Sequence, residues 1–554
     1  PLQKRFITRH RLAKKDPSAA VSEAVEPIIY YLDPGTPEPI RSALLEGAAW
    51  WDEAFQAAGY RNAFQVKILP ADADPMDVRY NVINWTHRST RGWSYGSSVV
   101  DPRTGEIIKG HVLLGSLRVR QDYLIAQGLI QAYENGTEAD PRLLEMALAR
   151  LRQLSAHEVG HTLGLAHNFA ASYNDRASVM DYPHPYLRIA DDGSIDFSQA
   201  YDTGIGQWDK RAIIYGYQDL SAVEDKGAAL QAILAENELL GLKYISDPDA
   251  RPIAGAHPHA HLWDNGQSAA EELRRLRILR RKALVNFGEQ NIPVGAPLST
   301  LEDVLVPLYF MHRYQVEAVA KNIAGLEYDY AVRSKQPVDV VDFLPNDQQR
   351  NAFKALMETL QPEFLAIPES ILQLIPPPAY GYQRGREQFK VYTAFNLDPL
   401  AAAEASADHS LRVLLDPARL ARLVEQGARK PYFLSATEVL TTVQRLLSNQ
   451  VQAGAGDYLH AIARVVEQRY VYHLIQLAAK KGIQPQVSAA ALSILIDYQG
   501  SLPARIAKAS KHSADKAHAR YLLEQIKQYR QNPNSIQVPE APKMPDGAPI
   551  GCGE

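Results

Sequence analysis

The amino-acid sequence predicts an α+β protein, in which a twisted mixed sheet with one long helix precedes a largely helical C-terminal region. Short apolar runs separated by turn residues fill much of the first 115 residues and are typical of strands. From about residue 268 onward, alanine, leucine and charged residues recur at helical spacing. The composition, 46% hydrophobic and 22% charged over 554 residues, is that of a globular protein. One hydrophobic core rarely covers so long a chain, so we expect more than one domain.

We divide the chain into five parts. They are a lead-in at 1–26, an α+β domain at 27–220, a loop-rich connection at 221–267, a helical domain at 268–530 and an extended tail at 531–554. The tail is assigned from its proline and glycine content. The sequence begins at Pro1 with neither a methionine nor a signal-like segment, so we expect any targeting information to lie outside it.

Charge and hydropathy argue against two classes of partner. The 59 basic and 63 acidic residues nearly balance, which gives no reason to expect binding to nucleic acid. No apolar run approaches the ~20 residues of a membrane-spanning helix. The single cysteine, Cys552, excludes an internal disulfide but does not decide the compartment.

The elements of the α+β domain follow from periodicity and turn residues. Asp101 and Gly105 lie where a tight turn between two strands needs them, and Gly59 ends an amphipathic helix. The predicted order is a strand at Pro27–Leu32, a helix at Pro37–Ala58, strands at Phe64–Leu69, Arg79–His87, Trp93–Val100 and Glu106–Gly115, then helices at Leu117–Tyr133 and Pro141–Ala166.

Downstream, turn residues predict a small hairpin and helical spacing predicts a series of helices. The hairpin is expected at Leu187–Phe197. The helices are expected at Gly206–Tyr217, Ser268–Phe287, Leu301–Leu326, Asp347–Leu374, Pro399–Gln426, Ser435–Asn449, Asp457–Ala479, Ser488–Gln499 and Leu502–Arg530.

The segment from His157 to His167 carries the strongest functional signal. His157 and His161 are four residues apart on the long predicted helix, so both imidazoles project from one face and can bind the same ion. Gly164 can end the helix and bring His167 round as a third nitrogen ligand. Three imidazoles leave one position of a tetrahedral zinc open to water, as in catalytic zinc sites. Glu158 lies beside the ligands, where it could reach such a water. By composition, this pattern arises by chance in roughly one such chain in ten thousand.

Ser178-Val179-Met180-Asp181-Tyr182 follows shortly after the histidines. Together, the two segments resemble the metzincin clan of zinc peptidases, whose active-site helix is paired with a methionine-containing turn. The resemblance implies that Met180 forms an apolar floor under the imidazoles. It also implies that Tyr182 can ligate zinc at rest and swing to hydrogen-bond the tetrahedral intermediate.

The upstream elements also resemble a metzincin-like catalytic domain, whose edge strand binds substrate. The candidate edge is the strand formed by Tyr95, Gly96, Ser97, Ser98, Val99 and Val100. An extended peptide could add to it through main-chain hydrogen bonds. A strand with no ligand is the alternative.

Three stretches resemble more narrowly the bacterial Met-zincin family of zinc-dependent metalloproteases. They are His157–Phe169, Gly204–Tyr217 and Asp249–Gly266. This likeness covers most of the chain and implies export to the periplasm or the medium.

Two other features suggest metal chemistry less strongly. His257, His259 and His261 alternate in a segment where two of them could share a second metal, but a loop that packs its polar rings against the rest of the protein is the favoured interpretation. Cys552 lacks the motif of the prosegment cysteines that silence some metzincins, so we do not expect it to bind zinc.

The sequence therefore predicts an endopeptidase with one catalytic zinc ion, acting on peptides or proteins. His157, His161 and His167 are the expected ligands, Glu158 the general base and Tyr182 the oxyanion donor. Two alternatives stay open, a catalytically silent protein that binds peptides and a zinc hydrolase of a non-peptide amide or ester.

Overall fold

The computed structural model describes residues 2–88, 94–333, 340–453, 457–533 and 537–545. Its first part contains β1 (Ser22–Glu23), β2 (Ile28–Leu32), α1 (Ile40–Ala49), α2 (Trp51–Ala57), β3 (Tyr60–Arg61), β4 (Phe64–Ile68), β5 (Asn81–Thr86), β6 (Tyr95–Val100), β7 (Ile107–Gly115), α3 (Leu117–Leu129), α4 (Pro141–Thr162), β8 (Arg188–Ile189), β9 (Ile195–Asp196) and α5 (Gln207–Tyr217). The predicted first helix is two helices that meet at Trp50. The predicted start of the fourth strand, Trp93, lies outside the described residues.

Five strands form one mixed sheet in the order β4-β2-β5-β7-β6. All neighbours are parallel except β6, which runs antiparallel to β7 because a tight hairpin joins the two strands. At this turn Gly105 has a φ of +80°, a conformation that glycine adopts without the usual steric cost. Strand β6 is consequently an edge strand with one side unpaired within the sheet.

Helix α4 packs against this sheet, and α1 packs on α4. Gly47 on α1 faces the Arg152 backbone so closely that a Cβ at position 47 would overlap the Arg152 carbonyl. Trp51 lies fully buried beside the same helix and donates its indole N–H to the Ala156 carbonyl at 2.8 Å. Helix α4 is therefore fixed in a buried layer below the sheet.

The remaining chain is mainly helical, which confirms the predicted fold class. It contains α6 (Lys226–Leu239), α7 (Asp247–Ala250), α8 (Ala269–Asn286), α9 (Leu301–Tyr309), α10 (Arg313–Asn322), β10 (Leu326–Tyr328), β11 (Val341–Phe343), α11 (Asn346–Glu358), α12 (Pro362–Leu365), α13 (Glu369–Leu372), α14 (Pro399–Leu414), α15 (Pro417–Arg429), α16 (Ala436–Ala453), α17 (Asp457–Ala479), α18 (Pro485–Lys508) and α19 (Ala514–Gln531). Within the described ranges, none of these helices has both the length and the apolar character that crossing a membrane requires.

Four predicted long helices are interrupted. The last, predicted at Leu502–Arg530, is divided between the end of α18 and α19, which begins at Ala514. The other three break further upstream. Pro417 divides one of them, because a proline disfavours helical backbone at the preceding residue. Pro362 and Pro368 each begin a new short segment in the second. The third, predicted at Leu301–Leu326, breaks after Tyr309 and ends before the short hairpin of β10 and β11. The three-residue strands of that hairpin are too short to give a detectable alternation.

The α+β part and the helical part share one of their hydrophobic cores. Leu143 and Met146 of α4 are buried in the same cluster as Leu276 of α8 and Leu305 of α9. The chain also places α6 in the segment expected to be loop-rich. The boundaries drawn at 220 and 267 stay predictions, and the shared core shows that the helical part packs directly on the layer that carries α4.

The described ends of the chain both lie against the folded body. The backbone of Arg9 forms an isolated parallel β-bridge with that of Glu106, at the turn between β6 and β7. The tail residues at 537–545 are extended, and Pro539 and Pro545 accept hydrogen bonds from Arg469 and Arg313, each at 2.6 Å. Cys552 lies outside the described residues.

Candidate metal centre

Helix α4 positions the first two histidines. Asp140 caps its N-terminus by accepting a hydrogen bond from the Arg142 N–H, and Pro141 occupies the first helical position. His157 and His161 lie in the last two turns of the helix, and their Nε2 atoms are 3.1 Å apart. The four-residue spacing thus brings both imidazoles to one point.

Gly164 turns the chain so that the third histidine reaches the same point. Its φ is +95°, and the Leu165 N–H donates to the Gly160 carbonyl while the Gly164 N–H donates to the His161 carbonyl. This pair of bonds is a Schellman motif, for which glycine is the favoured residue. A Cβ at position 164 would also overlap the Thr8 carbonyl. The turn brings His167 back toward the helix. The ring nitrogen that His167 can offer to a metal lies within 4.8 Å of those of His157 and His161.

Each imidazole is oriented by an oxygen on its far side. Nδ1 of His157 lies 2.6 Å from the Val179 carbonyl, and Nδ1 of His161 lies 2.9 Å from the Leu165 carbonyl. Nδ1 of His167 lies 2.9 Å from a carboxylate oxygen of Asp247. Because these oxygens accept hydrogen bonds, each Nδ1 carries the proton and each Nε2 presents a lone pair.

The three Nε2 lone pairs converge, an arrangement suited to binding a metal cation. The Nε2 atoms of His157 and His161 face each other without a proton between them, and Nε2 of His167 is buried with no hydrogen-bond partner among the described residues. Burial, reinforced by the neighbouring imidazoles, lowers the pKa of His161 to about 4 and that of His157 well below its usual value. Neutral imidazoles with oriented Nδ1 protons are the ligands that zinc prefers. The residues therefore fit a zinc ion.

Met180 packs against helix α4 at Gly160, the residue before His161. It is fully buried, and its sulfur packs so close to Gly160 that a Cβ there would overlap it. Asp209 holds the turn, since its carboxyl accepts hydrogen bonds from Ser178 Oγ (2.6 Å) and from the N–H groups of Val179 (2.8 Å) and Gly206 (2.9 Å). Burial raises the pKa of Asp209 to about 7.

Comparison with known families decides which group of proteins this centre belongs to. A family model described as Met-zincin matches residues 139–454, more than half of the 554-residue chain, and this range includes all three histidines and Met180. The chain belongs to the Met-zincin family. No curated protein and no solved structure matches the sequence.

In this Met-zincin, Tyr182 lies beside the histidines. Its ring centroid is 4.9 Å from that of His167 and 5.4 Å from that of His157. Only 2% of its surface is exposed, because Phe169 and Trp263 pack on other sides of the ring. The phenol oxygen accepts a hydrogen bond from Arg251 Nη2 at 3.0 Å.

Strand β6 lies directly over the end of helix α4. A Cβ at Gly96 would overlap the Glu158 carbonyl, so only glycine allows the strand to approach the helix this closely. Along the strand, Tyr95, Ser97 and Val99 are exposed, whereas Gly96, Ser98 and Val100 are half-buried. Glu158 itself is fully buried in the layer under this strand. The structure thus brings His157, His161, His167 and Tyr182 together and places β6 against the end of α4, whereas the roles assigned to Glu158, Met180 and the edge strand stay predictions.

Sequence reasoning missed three residues that support the site. Asp209 lies on α5, and Asp247 and Arg251 lie at the ends of the one-turn helix α7. Asp247 hydrogen-bonds to His167 across 80 residues of sequence, so local periodicity gives no sign of it. For Asp247 the only local signal was the Ser-Asp-Pro start of a helix, which is also common where no site exists. Asp209 and Arg251 lie in stretches that resemble the family, but that resemblance assigned them no role.

The alternative second metal site at His257, His259 and His261 is not supported by the structure. His257 Nε2 hydrogen-bonds to the Tyr328 carbonyl at 3.0 Å, and His259 stacks on Tyr173 with ring centroids 4.0 Å apart. Within the described part of the chain, His157, His161 and His167 form the only group of three or more such residues placed to hold a metal. The structure favours the packed polar loop.

Proposed function

We propose that this Met-zincin is a zinc-dependent endopeptidase. The observation that carries the proposal is the convergence of three buried Nε2 atoms, each on an imidazole whose Nδ1 is held by an oxygen. A zinc ion held by three protein nitrogens keeps a position for water or substrate, which a closed structural site does not. Membership of a metalloprotease family makes a peptide bond the leading substrate.

Zinc, when bound, polarises the scissile carbonyl and makes a water molecule more acidic. Glu158, next to His157 on α4, accepts the proton of that water and then delivers it to the leaving amine. The complete burial of Glu158 favours this role. Because bulk water does not reach the carboxyl group, the proton that it accepts is passed to the leaving amine and is not lost to solvent. Tyr182 donates its phenolic hydrogen to the developing oxyanion, the type of contact whose loss costs about 10²–10³ in kcat.

The substrate is held in an extended form along β6. The outer side of this strand is unpaired within the sheet, and antiparallel strands exchange main-chain hydrogen bonds with little regard to side chains. The close approach of Gly96 to the Glu158 carbonyl supports this proposal, because a peptide paired with β6 would lie next to the helix that carries Glu158 and His161. Export to the periplasm or the medium is proposed from the family resemblance alone.

The test is cleavage of an unfolded protein by the wild type and by Glu158→Gln, with zinc content measured on the same samples. We expect one zinc per chain in both, and a loss of at least ~10³-fold in kcat for the variant, because general base catalysis is removed. Glu145→Gln, which changes an exposed glutamate on the same helix, is the matched control and should cleave at the wild-type rate. Equal rates for the Glu158 and Glu145 variants would refute the mechanism.

Modified peptides test the edge strand without altering the protein. A cleaved peptide is resynthesised with single N-methyl groups on successive backbone nitrogens. If the peptide pairs with β6, methylation at alternate residues lowers kcat/KM by about 10-fold or more, while the residues between them tolerate it. A uniform effect at all positions would argue against strand addition. Hydrolysis of small acylated compounds without any peptide cleavage would favour the amide or ester hydrolase instead.

A further inference from the structure

We propose that Arg251 is a positioning residue, which fixes the Tyr182 phenol and joins it to the carboxylate that orients His167. The inference rests on the proposed function, because it assigns Tyr182 a task at the metal centre. Arg251 lies in the segment between the α+β part and the helical part, 69 residues from Tyr182 in sequence. It contacts two elements of the site at once.

The first contact is with Asp247, one helical turn earlier. Arg251 Nε donates to Asp247 Oδ1, and Ser246 Oγ donates to Oδ2 at 3.1 Å. The same carboxylate accepts the His167 Nδ1 proton. The Asp247 side chain is therefore held in place by Arg251 while it orients a metal ligand.

The second contact is with Tyr182. A guanidinium has hydrogen-bond donors and no acceptor, so the phenol oxygen must accept the 3.0 Å bond from Nη2. The phenolic hydrogen then points away from Arg251. The guanidinium also lies 5.5 Å from the centroid of the Tyr182 ring and 5.7 Å from that of Phe169, so it packs on both rings. Arg251 thus fixes the position of the hydroxyl and prevents its hydrogen from pointing toward the guanidinium.

The planar guanidinium is required for this double contact. Its Nε and Nη2 groups point along separate fixed directions, one toward the carboxylate and one toward the phenol, and the single ammonium of a lysine cannot hold both. The surrounding rings leave Tyr182 almost no exposed surface. We therefore expect the phenol to stay hydrogen-bonded to Arg251 through the catalytic cycle rather than to swing between two positions.

The helical part of the chain holds this pair in place. Lys321 Nζ donates to the carbonyls of Ala250 and Ala260, which flank the segment that carries Arg251. Arg419 and Arg422 donate to the carbonyls of Ile253 and Ala254. These four bonds come from α10 and α15, so the helical part acts on the metal centre through Arg251.

Kinetics of four variants test the proposal: Arg251→Gln, Arg251→Lys, Tyr182→Phe and the double variant Arg251→Gln/Tyr182→Phe. We expect Tyr182→Phe to lower kcat about 10²-fold. Arg251→Gln should lower kcat by ~10–100-fold, leave KM within about threefold and keep one zinc per chain. The kcat of Arg251→Lys should lie between those of Arg251→Gln and the wild type. This intermediate value would show that the site still folds when Arg251 is replaced. The double variant should be no slower than Tyr182→Phe, because Arg251 affects kcat through the phenol and Ser246 still donates to Asp247 when Arg251 is replaced.

A binding measurement gives a readout that needs no turnover. Acetohydroxamate is titrated into zinc-loaded protein, and its oxygens should accept the Tyr182 hydrogen. We expect Tyr182→Phe and Arg251→Gln each to raise its Kd about tenfold, with no further increase in the double variant. Arg281→Gln, which removes an exposed arginine on α8, is the control and should bind and cleave like the wild type.

Three results would overturn the proposal. They are additive effects of the Arg251 and Tyr182 changes, wild-type acetohydroxamate affinity in Arg251→Gln, and loss of zinc from Arg251→Gln. The last would mean that Arg251 acts through Asp247 and His167 alone. If the zinc-loaded wild type cuts no peptide, the proposed endopeptidase function fails, and the acetohydroxamate titration still decides the role of Arg251.

Discussion

His157 and His161 lie on one helix, whereas His167 lies beyond its end and depends on a distant segment. The first two are brought together by the four-residue spacing on α4. The third is turned into place by Gly164 and oriented by Asp247, 80 residues away. One metal centre therefore combines a local part, formed by secondary structure, with a long-range part that forms only when the whole fold is present.

This difference explains what the helical part contributes to the site. It contains none of the three histidines, yet α10 and α15 hold the segment around Asp247 and Arg251. Variants of Gly164 and Asp247, which place and orient His167, should therefore weaken the metal centre while leaving helix α4 intact. The following predictions test this, from the largest expected effect to the smallest.

Gly164→Ala should have the largest effect. Alanine carries a cost of about 1–2 kcal/mol in the left-handed conformation, and its Cβ would also overlap the Thr8 carbonyl. We expect the variant to lose several kcal/mol of unfolding free energy and to bind zinc far more weakly, as measured by urea unfolding and by competition with a chelator.

Gly241→Ala is the matched control. Gly241 also has a positive φ, +68°, but nothing lies within 4 Å of where its Cβ would be. It should lose only the ~1–2 kcal/mol conformational cost and keep its zinc affinity. Equal destabilisation by the two substitutions would show that the contact of Gly164 with Thr8 is unimportant.

Asp247→Asn should weaken zinc binding without unfolding the protein. The amide is uncharged and orients the His167 imidazole less strongly, a change that typically costs 10–100-fold in metal affinity. Asp249→Asn is the control, because Asp249 lies on the same turn of helix and accepts hydrogen bonds from Tyr328 and Tyr330 instead of from a histidine. If both variants bind zinc as tightly as the wild type, the long-range part of the centre has no energetic role.

The same division separates what could and could not be predicted from sequence. The histidine spacing, the hairpin of β6 and β7 and the series of helices are local patterns, and the structure contains them. The breaks at Tyr309 and Pro362 were missed, because apolar periodicity continues across them. The contacts of Asp209, Asp247 and Arg251 with the site were missed because they join residues that are distant in sequence.

Asp209 has an effect that appears only as the pH is changed, and it limits the comparison. It supports the local part from a distance, because it holds Val179, whose carbonyl accepts the His157 Nδ1 proton. Burial raises the Asp209 pKa from 3.8 to about 7, so the folded protein keeps this proton at pH values where the unfolded chain has lost it. The associated stability is fully present below pH 3.8 and is lost as the pH rises through 7.

Urea unfolding of the zinc-free protein at several pH values measures this effect. Between pH 4 and pH 7 the wild type should lose up to about 1.4 kcal/mol of unfolding free energy per pH unit relative to Asp209→Asn. The asparagine cannot ionise, so the difference between the two proteins isolates the carboxyl group. Parallel pH profiles would show that Asp209 is ionised in the folded protein.

The most direct test of the metal centre is anomalous diffraction at the zinc edge from crystals of the zinc-loaded protein. We predict one zinc ion about 2.0–2.1 Å from Nε2 of each of His157, His161 and His167, with the three Nδ1 contacts unchanged. Zinc bound elsewhere, or fully loaded protein with no peak between these three nitrogens, would contradict the assignment on which the proposed function depends.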